Sequence, residues 1–346
     1  MDNLPTKEQF KGCLIGQCVG DALGFVVEGY SPEVCREYIE EALSEGHPGD
    51  RHRGWYTFGQ YSDDSQLARE LLESYAAHGR FDPEDYARRI AAIFSEGRVV
   101  GRGRATEEAA QRLARGVPWQ EAGTPAPSAG NGSAMRAGPV GLLFFDDLTQ
   151  LAQAARDQGI ITHRDPRCSA GATAIAGAVA LALRPEPVDV SEFASHLAKL
   201  IEETEPSFAS AIRQLPTWVP LIPEEALTFI STVGLDPGYS DDSRGISPFV
   251  ISSVLWSLYS FLKSPKDYRK TIRTAIAVGG DVDTIAAMAG AISGAHLGLG
   301  AIPSDLVERL TDQGSWGFAE LVRLVDECYE LKTQQLLESS QTQGGP

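Results

Sequence analysis

The chain has 346 residues, 42% of them apolar, enough for a substantial core. Its 47 acidic against 30 basic residues leave a net charge of −17, which argues against a general affinity for nucleic acid. No Gly/Ser-rich or Pro-rich linker divides it. Residues 1–335 therefore read as one domain, and 336–346 as a disordered tail. The five cysteines (Cys13, Cys18, Cys35, Cys168, Cys328) are irregularly spaced, so neither a disulfide framework nor a zinc cage is expected. A polar N-terminus, Met1 to Phe10, carries no apolar signal segment, and a reducing cytoplasm fits both observations.

Helical periodicity recurs along almost the whole length. Ser65–His78 aligns Leu67, Leu71, Leu72 and Tyr75 on one stripe and is closed by Gly79. Similar patterns cover Pro83–Phe94, Thr106–Ala114, Leu148–Gln158, Ser169–Leu183 and Ser191–Glu203. A short helix is expected at Pro223–Phe229, then longer ones at Pro248–Leu262, Asp267–Ala277, Thr284–Leu297 and Phe318–Leu331. Strand–helix alternation is missing, so the expected fold is all-α: a compact orthogonal bundle of many helices around a central metal-lined cleft. Gly101-Arg102-Gly103 lacks a preceding strand and the full dinucleotide-binding spacing. Thr284–Ile302 runs 19 residues without a formal charge, but Ala and Gly dominate it, and it reads as a buried core helix rather than a membrane span. Gly290, Gly294 and Gly298 recur every fourth residue. Glycine costs a helix about 1 kcal/mol relative to alanine, so three in register predict another backbone packed against that ridge.

Two segments share one construction. Tyr61-Ser62-Asp63-Asp64-Ser65 and Gly279-Gly280-Asp281-Val282-Asp283-Thr284 each place two carboxylates beside a hydroxyl at a helix start. Helix capping is the plain structural reading, since Asp, Ser and Thr are preferred N-caps. Capping needs one oxygen per helix, however, and crowded carboxylates are unfavourable without a compensating positive charge. Mg²⁺ or Mn²⁺ would supply it through carboxylate and hydroxyl oxygens. Tyr239-Ser240-Asp241-Asp242-Ser243 repeats the first pentapeptide but is followed by Arg244-Gly245, with no helix at once, and reads as a surface loop. Gly20-Asp21-Ala22-Leu23-Gly24 precedes Glu28, which is as readily a surface acid as a site residue. Ser128 to Arg136, with Gly130, Asn131, Gly132, Ser133 and Met135, is a glycine-rich loop able either to cradle phosphates or simply to turn. Thr162-His163 precedes a helix of small residues, where a lone histidine is more often structural than catalytic.

Taken in this order, the segments resemble the ADP-ribosylglycohydrolase family, including the enzymes that reactivate dinitrogen reductase. The resemblance covers roughly residues 8–331 and extends to Ala301-Ile302-Pro303. It implies a centre of two Mg²⁺ (or Mn²⁺) ions held by Ser62, Asp63, Asp64, Asp281, Asp283 and Thr284, with Glu28 close by. Gly130, Asn131, Gly132 and Ser133 would line the ADP-ribose cleft, with Ser128, Met135 and His163 as further binding residues. Loop amides, Arg136 and the ions would balance the diphosphate. Asp64 or Glu28 would manage the proton as the ribose anomeric bond breaks through an oxocarbenium-like state. The sequence departs from the family at Ser62, Ser65 and Val282, where threonine is more usual. It also departs at Arg98-Val99-Val100-Gly101, where some arginine-directed relatives carry an acid.

The expected substrate is an ADP-ribosylated protein or small-molecule conjugate, most naturally arginine-linked from the likeness of Gly20–Glu28. Serine- or O-acyl-linked ADP-ribose is the alternative. A non-catalytic ADP-ribose-binding module and a metal phosphohydrolase cutting the pyrophosphate are the rival functions.

Overall fold

The structure, a computed structural model, describes residues 4–44, 53–185, 187–235 and 244–343. The repeated pentapeptide at residues 239–243 lies outside the described residues. Among them there is no sheet, only isolated bridges, and no helix is long and apolar enough to cross a membrane.

The helices in chain order begin with α1 (Lys7–Phe25), α2 (Pro32–Ser44), α3 (Asp63–His78), α4 (Pro83–Ser95), α5 (Arg104–Ala114) and α6 (Trp119–Ala122). A middle group comprises α7 (Gly138–Leu143), α8 (Leu148–Ile160), α9 (Pro166–Ala182), α10 (Val190–Ile201), α11 (Pro206–Ile212), α12 (Leu215–Trp218) and α13 (Pro223–Ile230). The chain closes with α14 (Val250–Lys263), α15 (Tyr268–Ile276), α16 (Val282–Leu297), α17 (Ser304–Val307) and α18 (Phe318–Gln343). A single hydrophobic core joins them. The last helix runs on to Gln343, past residue 335 where the sequence suggests order ends. Its Gln and Glu residues are good helix formers, and no Gly or Pro interrupts it before residue 344.

The axis of the fold is the antiparallel pair α1 and α16, the largest interface between any two elements. Both helices are apolar on nearly every side and buried along most of their length. Their backbones touch. A Cβ added to Gly294 would lie 1.9 Å from the Gly12 carbonyl oxygen, and one on Gly290 2.2 Å from that of Gly16. Further along, Gly20 faces the Ala286 carbonyl and Gly24 faces the backbone of Asp283. The backbone expected opposite the glycine ridge is therefore α1, which carries a matching ridge of its own. Gly298 closes the ridge: at φ +77° it ends α16, with its backbone still against Gly12 and Glu8 of α1. The ladder brings Asp21 on α1 and Asp283 on α16 to the same end of the pair. The five cysteines are free and buried.

Candidate active site

α3 and α16 begin facing one another. Ser62 caps α3, its Oγ accepting from the Asp64 amide, so neither aspartate is needed as a cap. Asp281 occupies the N-cap of α16 yet makes no side-chain cap bond. Capping thus accounts for one hydroxyl and leaves four carboxylates unexplained. Both helices start two residues earlier than periodicity suggests, which puts Asp63, Asp64 and Asp283 inside their first turns, where negative charge is favoured.

The lead-in to each start is pinned by backbone. Gly279 and Gly280 take φ of +75° and +83°, a conformation that favours glycine. They thread between Ile246 and Tyr30: the Asp281 amide donates to the Ile246 carbonyl, and the Gly280 amide to Tyr30. On the other side, buried Asp21 accepts from the Ser62 and Ser65 amides at 2.9 and 3.0 Å. Asp21 is a positioning residue that the sequence pattern hides, because its role depends on which amides the fold brings to it.

The carboxylates converge. Oxygens of Glu28, Asp281 and Asp283 lie within 4.8 Å of one another. Ser62 Oγ donates to Asp64 Oδ2 at 2.8 Å, and the Thr284 side chain lies beside Asp64 and Asp281 in the same wall. Asp64 Oδ1 and Asp283 Oδ1 are buried with no partner at all. Burial is the main reason the five aspartates are hard to ionise, and repulsion between neighbours adds to it at all but Asp21. The Asp21 carboxyl is pushed up to about 6 and Asp281 to about 7. Asp63, Asp64 and Asp283 are raised well above the carboxylate range. A buried acidic floor with two orphaned oxygens and an all-oxygen donor set fits hard divalent cations.

This has a sign that can be measured. An acid whose folded-state pKa is raised leaves the native state holding more protons than the unfolded chain, so stability falls as pH rises through that window. Metal-free protein is expected to lose thermal stability between about pH 4 and 7, the range spanned by Asp21 and Asp281. Mg²⁺ or Mn²⁺ at about 100 times its Kd at pH 8 should restore roughly 2.7 kcal/mol there, and the same concentration should restore less at pH 5, where protonated ligands weaken binding. Differential scanning fluorimetry across pH, with and without EDTA, reads both effects. A metal-independent melting temperature at pH 8 would contradict them.

A cleft of about 500 Å³ opens above this floor, within the range of small-molecule sites. Glu28, Asp63, Asp64, Asp281, Asp283 and Thr284 lie in its wall, as do Gly130, Asn131, Gly132, Met135 and His163. Ser62 sits beneath, buried against Asp64. Ser128 and Ser133 are not brought into the wall. The Ser133 hydroxyl is spent on the Cys168 carbonyl, and the Ser128 carbonyl faces the Cys168 thiol.

Asn131 connects the glycine-rich loop to the floor, its amide donating to Asp281 Oδ2 at 2.5 Å and to Ser253 at 3.0 Å. Gln17 ties the two halves together, its amide donating to the Asp64 and Met135 carbonyls at 3.0 and 3.1 Å. His163 lies under the loop with Nδ1 2.8 Å from the Thr162 hydroxyl. Burial and the nearby Arg136 charge hold its pKa down at about 3, so it is a neutral ring at physiological pH.

Arg136 does not reach the cleft to meet phosphates as the sequence suggests. It is fully buried and donates to Gly132 O, Gln158 Oε1, Gln158 O and Thr162 Oγ1 at 2.8–3.0 Å. A buried guanidinium with its donors satisfied is a strut for the loop.

The wall at the Asp63 end comes from the turn between α4 and α5. Gly103 lies beside Asp63, and a Cβ at Gly101 would lie 3.1 Å from Asp63 Oδ1. Gln66 holds this turn by accepting from the Val100 amide while donating to the Arg98 carbonyl and to Asp312. Arg102 and Arg104 project from the turn into the lining, and Arg53 reaches in beside Glu28, with which it is paired. Local sequence patterns give no sign of these arginines: Arg102 and Arg104 arrive with the turn packed against Ser62 and Asp63, and Arg53 is held by the Phe25 carbonyl and Glu28.

Comparison with known proteins fits this geometry. Residues 2–338 match the sequence profile described as ADP-ribosylglycohydrolase. The chain is 30% identical to ADP-ribosylhydrolase ARH3 of Homo sapiens, over 85% of this chain and 87% of that one. It is 26% identical to ADP-ribosylarginine hydrolase Tri1 of Pseudomonas putida, over 94% and 79% of the two chains. A solved structure titled ADP-ribosylglycohydrolase-related protein complex superposes with a TM-score of 0.69 at 26% identity, covering 94% of this chain and 98% of that one. An all-α fold, an acidic floor at two helix starts and a profile match over nearly the whole length agree: the chain belongs to the ADP-ribosylglycohydrolase family and is a hydrolase of ADP-ribose linkages.

Proposed function

We propose that the protein hydrolyses the bond between the anomeric carbon of ADP-ribose and an acceptor on a protein or small molecule, with two Mg²⁺ or Mn²⁺ ions bound at the acidic floor. The observation that carries this reading is the pair of buried, unpartnered oxygens, Asp64 Oδ1 and Asp283 Oδ1, at facing helix starts. Ser62, Asp63 and Asp64 from α3 and Asp281, Asp283 and Thr284 from α16 would hold the ions, with Glu28 alongside. Once bound, divalent cations supply charge neutralisation and Lewis acidity at the ribose hydroxyls and the attacking water.

The protein's own groups do the rest. The Gly130–Gly132 backbone and neutral His163 bind the ADP portion, and Asn131 fixes that loop against Asp281. Positive charge developing on the sugar ring faces a cluster of carboxylates. Glu28, the least buried of them, is the group best placed to take up or return the proton, and Asp64 is the second candidate. Ser128 and Ser133 act through the loop's shape rather than by touching the ligand.

Mass spectrometry of ADP-ribosylated peptides incubated with and without EDTA tests the reading. Intact ADP-ribose released only in the presence of metal is expected. AMP with ribose phosphate would identify a pyrophosphatase instead, and tight ADP-ribose binding without turnover a binding module.

The loop can be tested separately. A Cβ at Gly132 would sit 2.6 Å from His163 Cε1, and His163 is walled in beside Arg136. Gly132→Ala is therefore expected to weaken ADP-ribose binding about tenfold by displacing the loop, and to cost about 1–3 kcal/mol of stability as one overpacked contact. Isothermal titration calorimetry with ADP-ribose reads the difference.

A further inference from the structure

The cleft floor has two ends with different neighbours. Asn131 of the glycine-rich loop is bonded to Asp281 at one end, while Gly101 and Gly103 of the α4–α5 turn lie against Asp63 at the other. A ligand whose ADP portion occupies the glycine-rich end and whose ribose lies over the floor points its acceptor towards the α4–α5 turn. That turn is basic. Arg102 and Arg104 are exposed and line the cleft, in a chain whose net charge is −17. Arg102 is 3.5 Å from Glu107, and Arg104 has no ion-pair partner among the described residues. α5 starts at the same place, and its N-cap, Gly103, offers no side-chain cap, so the positive end of an eleven-residue helix adds to the arginines.

We infer that Arg102 and Arg104 select the acceptor: they disfavour a guanidinium-linked ADP-ribose and favour a hydroxyl-linked one on a segment that carries carboxylates beside the linkage. The inference rests on the hydrolase reading above. It reverses the arginine linkage expected from the Gly20–Glu28 segment, because a cationic leaving group would meet two like charges on leaving. Two exposed arginine–carboxylate pairs together amount to roughly a fivefold preference at low salt, fading as ionic strength rises.

The test compares kcat/KM for ADP-ribosylserine peptides flanked by glutamate or by lysine, and for an ADP-ribosylarginine peptide. Wild type and the double charge reversal R102E/R104E are assayed, and ADP-ribose affinity is measured for both. Wild type is expected to favour the glutamate-flanked peptide about fivefold over the lysine-flanked one, with the arginine conjugate slowest. R102E/R104E should invert the flank preference while its affinity for free ADP-ribose stays within about twofold of wild type. An unchanged preference in R102E/R104E overturns the inference. So does a loss of ADP-ribose affinity, which would put the arginines on the diphosphate. If wild type turns over no conjugate, the hydrolase reading fails as well, which separates the two failures.

Discussion

Asp283→Asn is expected to abolish turnover and, in the absence of metal, to stabilise the protein. The carboxylate is buried in the first turn of α16 with Oδ1 unpartnered and with Glu28, Asp64 and Asp281 as its repelling neighbours. An amide of the same shape removes a charge that only a cation compensates. Metal-dependent release of ADP-ribose should fall by at least about 10²–10³-fold, the cost of losing one electrostatic contact to a transition state. Metal-free Asp283→Asn should meanwhile be more stable by about 1–3 kcal/mol at pH 8, since an unpaired buried charge is gone. At pH 4, where the wild-type carboxyl is itself protonated, the two should melt together. Asp63→Asn, raised for the same reasons, is expected to behave alike. Thermal melts of the metal-free proteins at both pH values, beside an activity assay, decide the matter. A variant that melts lower than wild type at pH 8 would mean the carboxylate is structural.

Gly294→Ala is expected to be among the most damaging single substitutions in the chain, although alanine is the better helix former. The propensity gain is about 1 kcal/mol. Against it, the new Cβ would lie 1.9 Å from the Gly12 carbonyl oxygen and 2.6 Å from its carbon. Both are backbone atoms in the middle of a buried helix, so neither can swing aside. Overpacking of this kind costs about 3 kcal/mol or more, which outweighs the propensity term. Gly290→Ala meets the Gly16 carbonyl at 2.2 Å and should cost nearly as much. Gly300→Ala, with nothing within 4 Å, is the neutral control. Urea unfolding monitored by circular dichroism gives the differences. A Gly294→Ala midpoint equal to wild type would mean that α1 and α16 do not touch as described.

The sequence is informative where periodicity and local chemistry act alone. Amphipathic helices such as α4, α10 and α15 stand where their stripes put them, and the carboxylates at Asp63-Asp64 and Asp281/Asp283 lie in the wall of one cleft. It is silent on α1. Gly12, Gly16, Gly20 and Gly24 make that segment look like a poor helix, and burial on all sides removes the stripe that would betray one. Only the facing ladder explains it. Arg136 misleads for a related reason: a cation beside a glycine-rich loop suggests phosphate, but the fold turns it inward to four acceptors. Asp21 and the Arg102–Arg104 turn are invisible for want of any local pattern. Their roles exist only once distant segments are packed together.

The Gln17 amide spans from the Asp64 carbonyl to the Met135 carbonyl, and so joins the floor to the glycine-rich loop through one side chain. The spacing between the floor and the glycine-rich loop is therefore set from the inside, by a buried side chain outside the cleft lining, as a spacer sets the gap of a calliper. Discrimination among conjugates then falls to whatever protrudes beyond the gap, which is the acceptor and the chain that bears it.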